Sequence, residues 1–272
     1  MRKLCIMASL AGVMAAPSLF AGIAAGNVTL VDNTSQYSYG DGGEFRAVGD
    51  AGLNNVVNWN AYTAHTSGTT SDGTDLGSWG YNSGYAVAGQ KYFQTFCIEA
   101  TEYFSPGSSY SASLSFNALY GHVGQSPGVA VTMGTAWLYS EFASGGLQNY
   151  GYDYTYGNGS SPGGNRTASA GALQQAIWAF QGENGLTLSG LTGQAANFVG
   201  DAETALGGLA NAQAASNGKF GVMALNLGAP GAVQDQLVVA VPEPTTAVAG
   251  FGALGFVLLA IRRRSDVLKI GK

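Results

Sequence analysis

The chain has 272 residues, 46% of them hydrophobic and only 10% charged, with a formal net charge of −5 and a pI near 4.9. That much apolar material can bury a core, which excludes a disordered chain, and an acidic balance with no basic patch before the tail excludes a nucleic-acid partner. The abundance of Gly, Ser, Thr, Asn and Tyr points to a β-rich extracellular domain.

The amino-terminal residues read as a secretory leader, 1–25. Arg2 and Lys3 give a positive start, Leu4 to Ala16 an apolar centre, and Pro17 to Ala25 a small-residue zone with the cut between Ala21 and Ala25. Cys5 leaves with the leader, so Cys97 is the one thiol of the mature protein. A lone thiol in an exported protein either has a use or is an inert buried cysteine.

Short β-prone runs at Asn27 to Val31 and Glu44 to Val48 are separated by turn residues, and 63–85 reads as long loops. The run from Lys91 to Tyr103 predicts a strand, with Phe93, Thr95, Cys97 and Glu99 on one face and Tyr92, Gln94, Phe96 and Ile98 on the other. Both faces are partly apolar, so Cys97 is expected in a central, protected strand. Another strand follows at Tyr110 to Phe116. The period then changes: Thr135 to Phe142 has helical spacing, and a Gly- and Tyr-rich loop fills 145–164. A second helix starts at Thr167 or Ser169 and stops at Gly182 or Gly185, and an alanine-rich third runs from Thr192 to Ala215. Strands at Phe220 to Leu227 and Gln234 to Val241 close the domain. The expected class is α+β: one β-rich sandwich or barrel-like domain over 26–240 with a helical subdomain inserted, a signal peptide before it and a single C-terminal helix after it.

The last segment, 241–272, has three parts in fixed order: Pro242-Glu243-Pro244, an apolar stretch from Ala247 to Ile261, and Arg262-Arg263-Arg264. The stretch is short beside the roughly 17–25 residues of a spanning helix. Positive charge after it would hold the tail in the cytoplasm and leave the rest outside. A plain tail anchor fits these features. The order also resembles the PEP-CTERM sorting signal of Gram-negative bacteria, which implies recognition by an exosortase-type membrane enzyme, a transient stay in the inner membrane and delivery to the cell surface or matrix.

Along the second helix Leu173, Ala176, Ile177 and Phe180 form an apolar stripe. Gln174 lies at its edge and Gln175 further away, so Gln174 is better placed to enter a core. A cysteine thiol and a glutamine carboxamide can condense to an internal thioester, releasing ammonia, and amines can then capture the acyl group. Phe96-Cys97-Ile98-Glu99 and Gln174-x-Ala176-Ile177-Trp178 together resemble the thioester domains of bacterial surface adhesins. The glutamine motif of that family begins Thr-Gln, where this chain has Leu173, which keeps Gln175 open as the partner. The resemblance implies a Cys97 to Gln174 cross-link and an amine-bearing surface or matrix partner. Phe96, Trp137, Phe142 and Trp178 are candidates for a dry shell around it, and Glu99 or Glu102 for a proton acceptor. Between Gly26 and Ala240 only Lys91 and Lys219 carry side-chain amines. Such scarcity would limit self-reaction, although an outer-surface protein with few lysines would look the same.

Two other classes remain. A cysteine hydrolase would pair Cys97 with His122 or His65, but neither histidine has an evident orienting partner and no protease signature surrounds Cys97. A non-reactive, polysaccharide-associated matrix protein would use the aromatics for stacking. Asp72 to Asp75 and Asp41 to Glu44 lack the ligand series of a calcium loop and read as turns. No metal or cofactor is expected.

Overall fold

A computed structural model describes residues 23–31, 38–39, 42–62, 92–119, 128–154, 165–228 and 233–241. The leader's charged start and apolar centre, the expected loop 63–85, both histidines and the sorting segment from Pro242 onward lie outside the described residues.

In chain order come β1 (Ile23–Val31), a short hairpin of β2 (Ser38–Tyr39) and β3 (Gly42–Gly43), β4 (Phe45–Gly49), α1 (Ala51–Val56), β5 (Tyr92–Thr95) and β6 (Ser109–Ser115). Four helices follow: α2 (Met133–Ala143), α3 (Arg166–Gln181), α4 (Gly193–Leu206) and α5 (Leu209–Gln213). Strands β7 (Val222–Leu227) and β8 (Gln236–Val239) complete the order. The main sheet runs β5-β4-β1-β6-β7-β8, every pair antiparallel. The class is therefore α+β, with helices α2 to α5 inserted between two neighbouring strands, β6 and β7.

The sheet bends into a nearly closed barrel because the outer edge of β8 is covered. After Thr95 the chain leaves β4 and crosses to β8: Leu237 N–H donates to Phe96 O (3.1 Å), Ile98 N–H to Asp235 O (3.0 Å), and Cys97 bridges Gln236. Thr95 Oγ1 adds a bond to Leu237 O (2.6 Å). Further along the same edge Asn58 N–H donates to Val239 O (2.8 Å) and Val241 N–H to Val56 O (2.8 Å). Covering an edge in this way satisfies the backbone groups that an open strand would expose.

Three expectations are corrected. The strand predicted over 91–103 ends at Thr95, and Cys97 lies on the closing seam rather than in a central strand, because the chain changes partner there. β1 starts at Ile23, inside the expected cleavage zone, and Ala25 is buried. Helix α3 starts at Arg166 and its N-cap position is Asn165, two residues before the candidate cap Thr167 and four before Ser169. The single helix over 192–215 is two, broken at Gly207 (φ 77°) and Gly208 (φ 123°), which only glycine adopts freely.

Helix α3 is buried on nearly all sides and ends at Gly182 (φ 73°). There Gly182 N–H donates to Ala179 O (3.3 Å) and Glu183 N–H to Trp178 O (2.8 Å), the paired bonds of a Schellman cap. This ending fixes Glu183 beside Trp178. Most apolar side chains form one core, including Phe96, Trp137, Tyr139, Phe142 and Ile177. A second, small cluster holds Phe45, Cys97, Ala100 and Trp178, flanked by Phe104 and Leu186.

Candidate functional site

Cys97 and Gln174 are both fully buried and touch. Gln174 Oε1 accepts from Cys97 N–H (3.2 Å), and Gln174 Nε2 donates to Cys97 O (2.9 Å). The carboxamide thus pairs with the cysteine's own backbone much as a strand residue would, on a segment that has left one strand and is joining another. A second donor, Gly43 N–H, reaches the same Oε1 (3.0 Å). Two N–H groups on one carbonyl oxygen polarise its carbon and would stabilise the oxyanion that forms when a nucleophile adds. Gln175 lies in the next helical phase and is only half-buried.

Small residues make this approach possible. A methyl group at Gly42 would sit 2.6 Å from the Trp178 ring and 2.9 Å from Gln174 Cγ. Gly43 has φ 122°, a conformation open to glycine. The next residue, Glu44, is buried and holds the hairpin to α3: Arg166 Nε (2.9 Å) and Nη2 both donate to its carboxylate, as does Tyr152 OH (3.0 Å). Arg166 and Gln174 share one helix, so a two-point attachment sets the Gly43 N–H against the carboxamide.

On β8, Gln236 is fully buried across the seam from Cys97. Its Nε2 lies 3.5 Å from Cys97 Sγ and 3.4 Å from Gln234 O, whereas its Oε1 has no hydrogen-bond partner. Beyond it lies an acidic row. Glu99 is buried and accepts from Asp235 N–H (2.8 Å). Asp235 accepts from Leu119 N–H (2.5 Å) and Leu227 N–H (2.8 Å). Burial pushes the Asp235 carboxyl up to about 7 against those two bonds, and pushes half-buried Glu102 up, assisted by the nearby Glu183 charge. Glu183 accepts from Ala100 N–H (3.3 Å) and so ties the segment after Cys97 to the end of α3.

Of the candidate shell, Trp178 shares the small cluster with Cys97. Phe96 and Phe142 lie in the main core, edge to face at 4.9 Å, and Trp137 packs on Tyr150 at 5.1 Å. Glu99 directs its carboxylate to Asp235 N–H, just ahead of β8. Gly43, Glu44, Arg166, Glu183 and Gln236 were not among the sequence candidates for the thioester. Their roles come from pairings between residues far apart in sequence, and only the Gly42-Gly43 doublet left a local trace, as a turn. Glu44, considered as a calcium-loop acid, is paired with Arg166. Among the described residues no group of three or more His, Cys, Asp or Glu side chains is arranged to hold a metal.

Comparison with family models, with characterised proteins and with solved structures gave no match.

Proposed function

We propose that this is an exported, surface-sorted protein whose Cys97 and Gln174 condense to an internal thioester that captures amines on a surface or matrix partner. One observation carries the reading: the Gln174 carboxamide is clamped on the Cys97 backbone while Gly43 and Cys97 N–H groups hold its oxygen. In the forming step Cys97 Sγ bonds to Gln174 Cδ, the Cδ–Nε2 bond breaks, and the thiol proton leaves with nitrogen as ammonia. In capture an amine nitrogen bonds to Cδ, the Cδ–Sγ bond breaks, and one amine proton passes to sulfur. Full burial of both residues keeps water from the acyl group in between. Export rests on the leader, and surface sorting by an exosortase-type enzyme rests on Pro242-Glu243-Pro244, the apolar stretch and Arg262 to Arg264.

Intact mass of the protein recovered from the surface of its own host is the test. It should be one ammonia light, end before Arg262, gain methylamine at Gln174 and release a thiol at Cys97. Cys97→Ala and Gln174→Ala should each restore full mass, and Gln175→Ala should not. A full-mass wild-type chain with a titrating thiol would leave the non-reactive matrix reading. A retained Arg262–Lys272 tail would remove the sorting step.

A further inference from the structure

The thioester reading uses Cys97, Gln174 and the donors on Oε1, and leaves Gln236 without a role. Gln236 is the side chain from the far side of the seam whose amide meets the cysteine sulfur, at 3.5 Å, from a fully buried position. Its other Nε2 proton faces Gln234 O (3.4 Å), which fixes the amide so that nitrogen, not oxygen, points at sulfur. Oε1 is then left buried and unpartnered. A buried polar atom without a protein partner is costly, and such groups in folded proteins mark strain, use or a bound water. Replacing Gln236 with leucine would remove that cost and keep β8 apolar, in line with Leu237, Val238 and Val239 beside it.

Resting on the thioester reading, we infer that Gln236 is a catalytic residue of the thioester reaction and orients a primary amine as its substrate. Its Nε2–H bonds to Cys97 Sγ while sulfur bears negative charge, as nucleophile in the forming step and as leaving group in capture. Its Oε1 accepts an N–H of the incoming amine. Two hydrogens on the amine suit this arrangement: one is held by Oε1, and one is lost to sulfur as Cδ–N forms and Cδ–Sγ breaks. A secondary amine has only one to serve both purposes, so the site selects primary over secondary amines.

Two measurements on the full chain test this. In a Gln174→Ala background no thioester forms, and the rate of Cys97 alkylation against pH reads sulfur ionisation directly. Adding Gln236→Leu should move the midpoint of that profile up by about one pH unit, and Gln236→Glu, which keeps the shape but removes the donor, by at least as much. In chains with Gln174 intact, either variant should slow methylamine capture about tenfold or more, and Gln236→Leu should shrink the preference for methylamine over dimethylamine. Unchanged alkylation profiles in both variants, or an unchanged amine preference, would overturn the role, as would methylamine incorporated at Gln236 itself. The Gln174→Ala profiles remain informative even if the wild-type chain has full mass, so failure of this role and failure of the thioester reading are distinct results.

Discussion

At the scale of single residues the site depends on what is missing as much as on what is present. Gly42 leaves room for Trp178 and Gln174, and one methyl group there would force the hairpin off α3. Gly42→Ala should therefore draw the Gly43 N–H from Gln174 Oε1 and slow thioester formation about 100-fold or more, the loss usual for one oxyanion donor. Time-resolved intact mass after refolding reads that rate. Gly200→Ala is the control: nothing lies within 4 Å of a methyl at that position on α4, so its rate should match wild type. The burial of Gln174 was legible in the sequence because helix phase puts it, and not Gln175, at the edge of the apolar stripe. Gly43 and Gln236 were not, because a backbone N–H has no sequence signature and β8 meets Cys97 only once the barrel closes.

At the scale of elements, the hairpin and α3 are joined by the buried Glu44 and Arg166 pair. Arg166→Met leaves an uncompensated buried carboxylate and should cost about 3–5 kcal/mol, a melting point lower by roughly 6–20 °C in a domain of this size. Adding Glu44→Gln should return much of that stability, since removing both charges removes the desolvation penalty. If thioester formation stays slow in the stable double variant, the pair positions Gly43 rather than merely holding the fold; recovery of the rate along with the melting point would assign it to stability alone. Periodicity located most elements, from β1 through α2 and α3 to β8. It missed α1, only six residues long and capped by the Asp50 carboxylate on Leu53 N–H (3.0 Å), and it ran β5 too far. An apolar run looks the same whether it keeps one partner strand or exchanges it for another, so the crossing at Thr95 left no mark on the pattern.

At the scale of the whole molecule, closure brings acids together. Asp235 joins the seam to Leu119, Leu227 and Glu99, and its carboxyl is pushed from an ordinary value near 3.8 up to about 7 by burial. The fold then holds that proton more tightly than the unfolded chain does, so this group's stabilisation is complete below about 3.8 and is lost as pH rises through about 7. The melting temperature should decline across that window more steeply in wild type than in Asp235→Asn; parallel curves would show that Asp235 does not titrate there. The class and the helical insertion were readable from the change of period after β6 and a barrel-like sheet was one of the two forms expected, whereas the place of closure was not readable, because it rests on a few bonds between the 95–98 segment and β8. The same closure decides how the molecule would bear a pull. A chain held at its carboxyl side and joined to a partner through Gln174 is loaded only between residues 174 and 241, which leaves β1 to β6 off the line of force. Within that stretch β7 and β8 are antiparallel with Val222 opposite Val239, so tension enters and leaves at the same end and would peel the pair apart one bond at a time. That end is where Val56 and Asn58 grip β8 from its other side, making the exit of α1 the clasp that must open before the domain can extend.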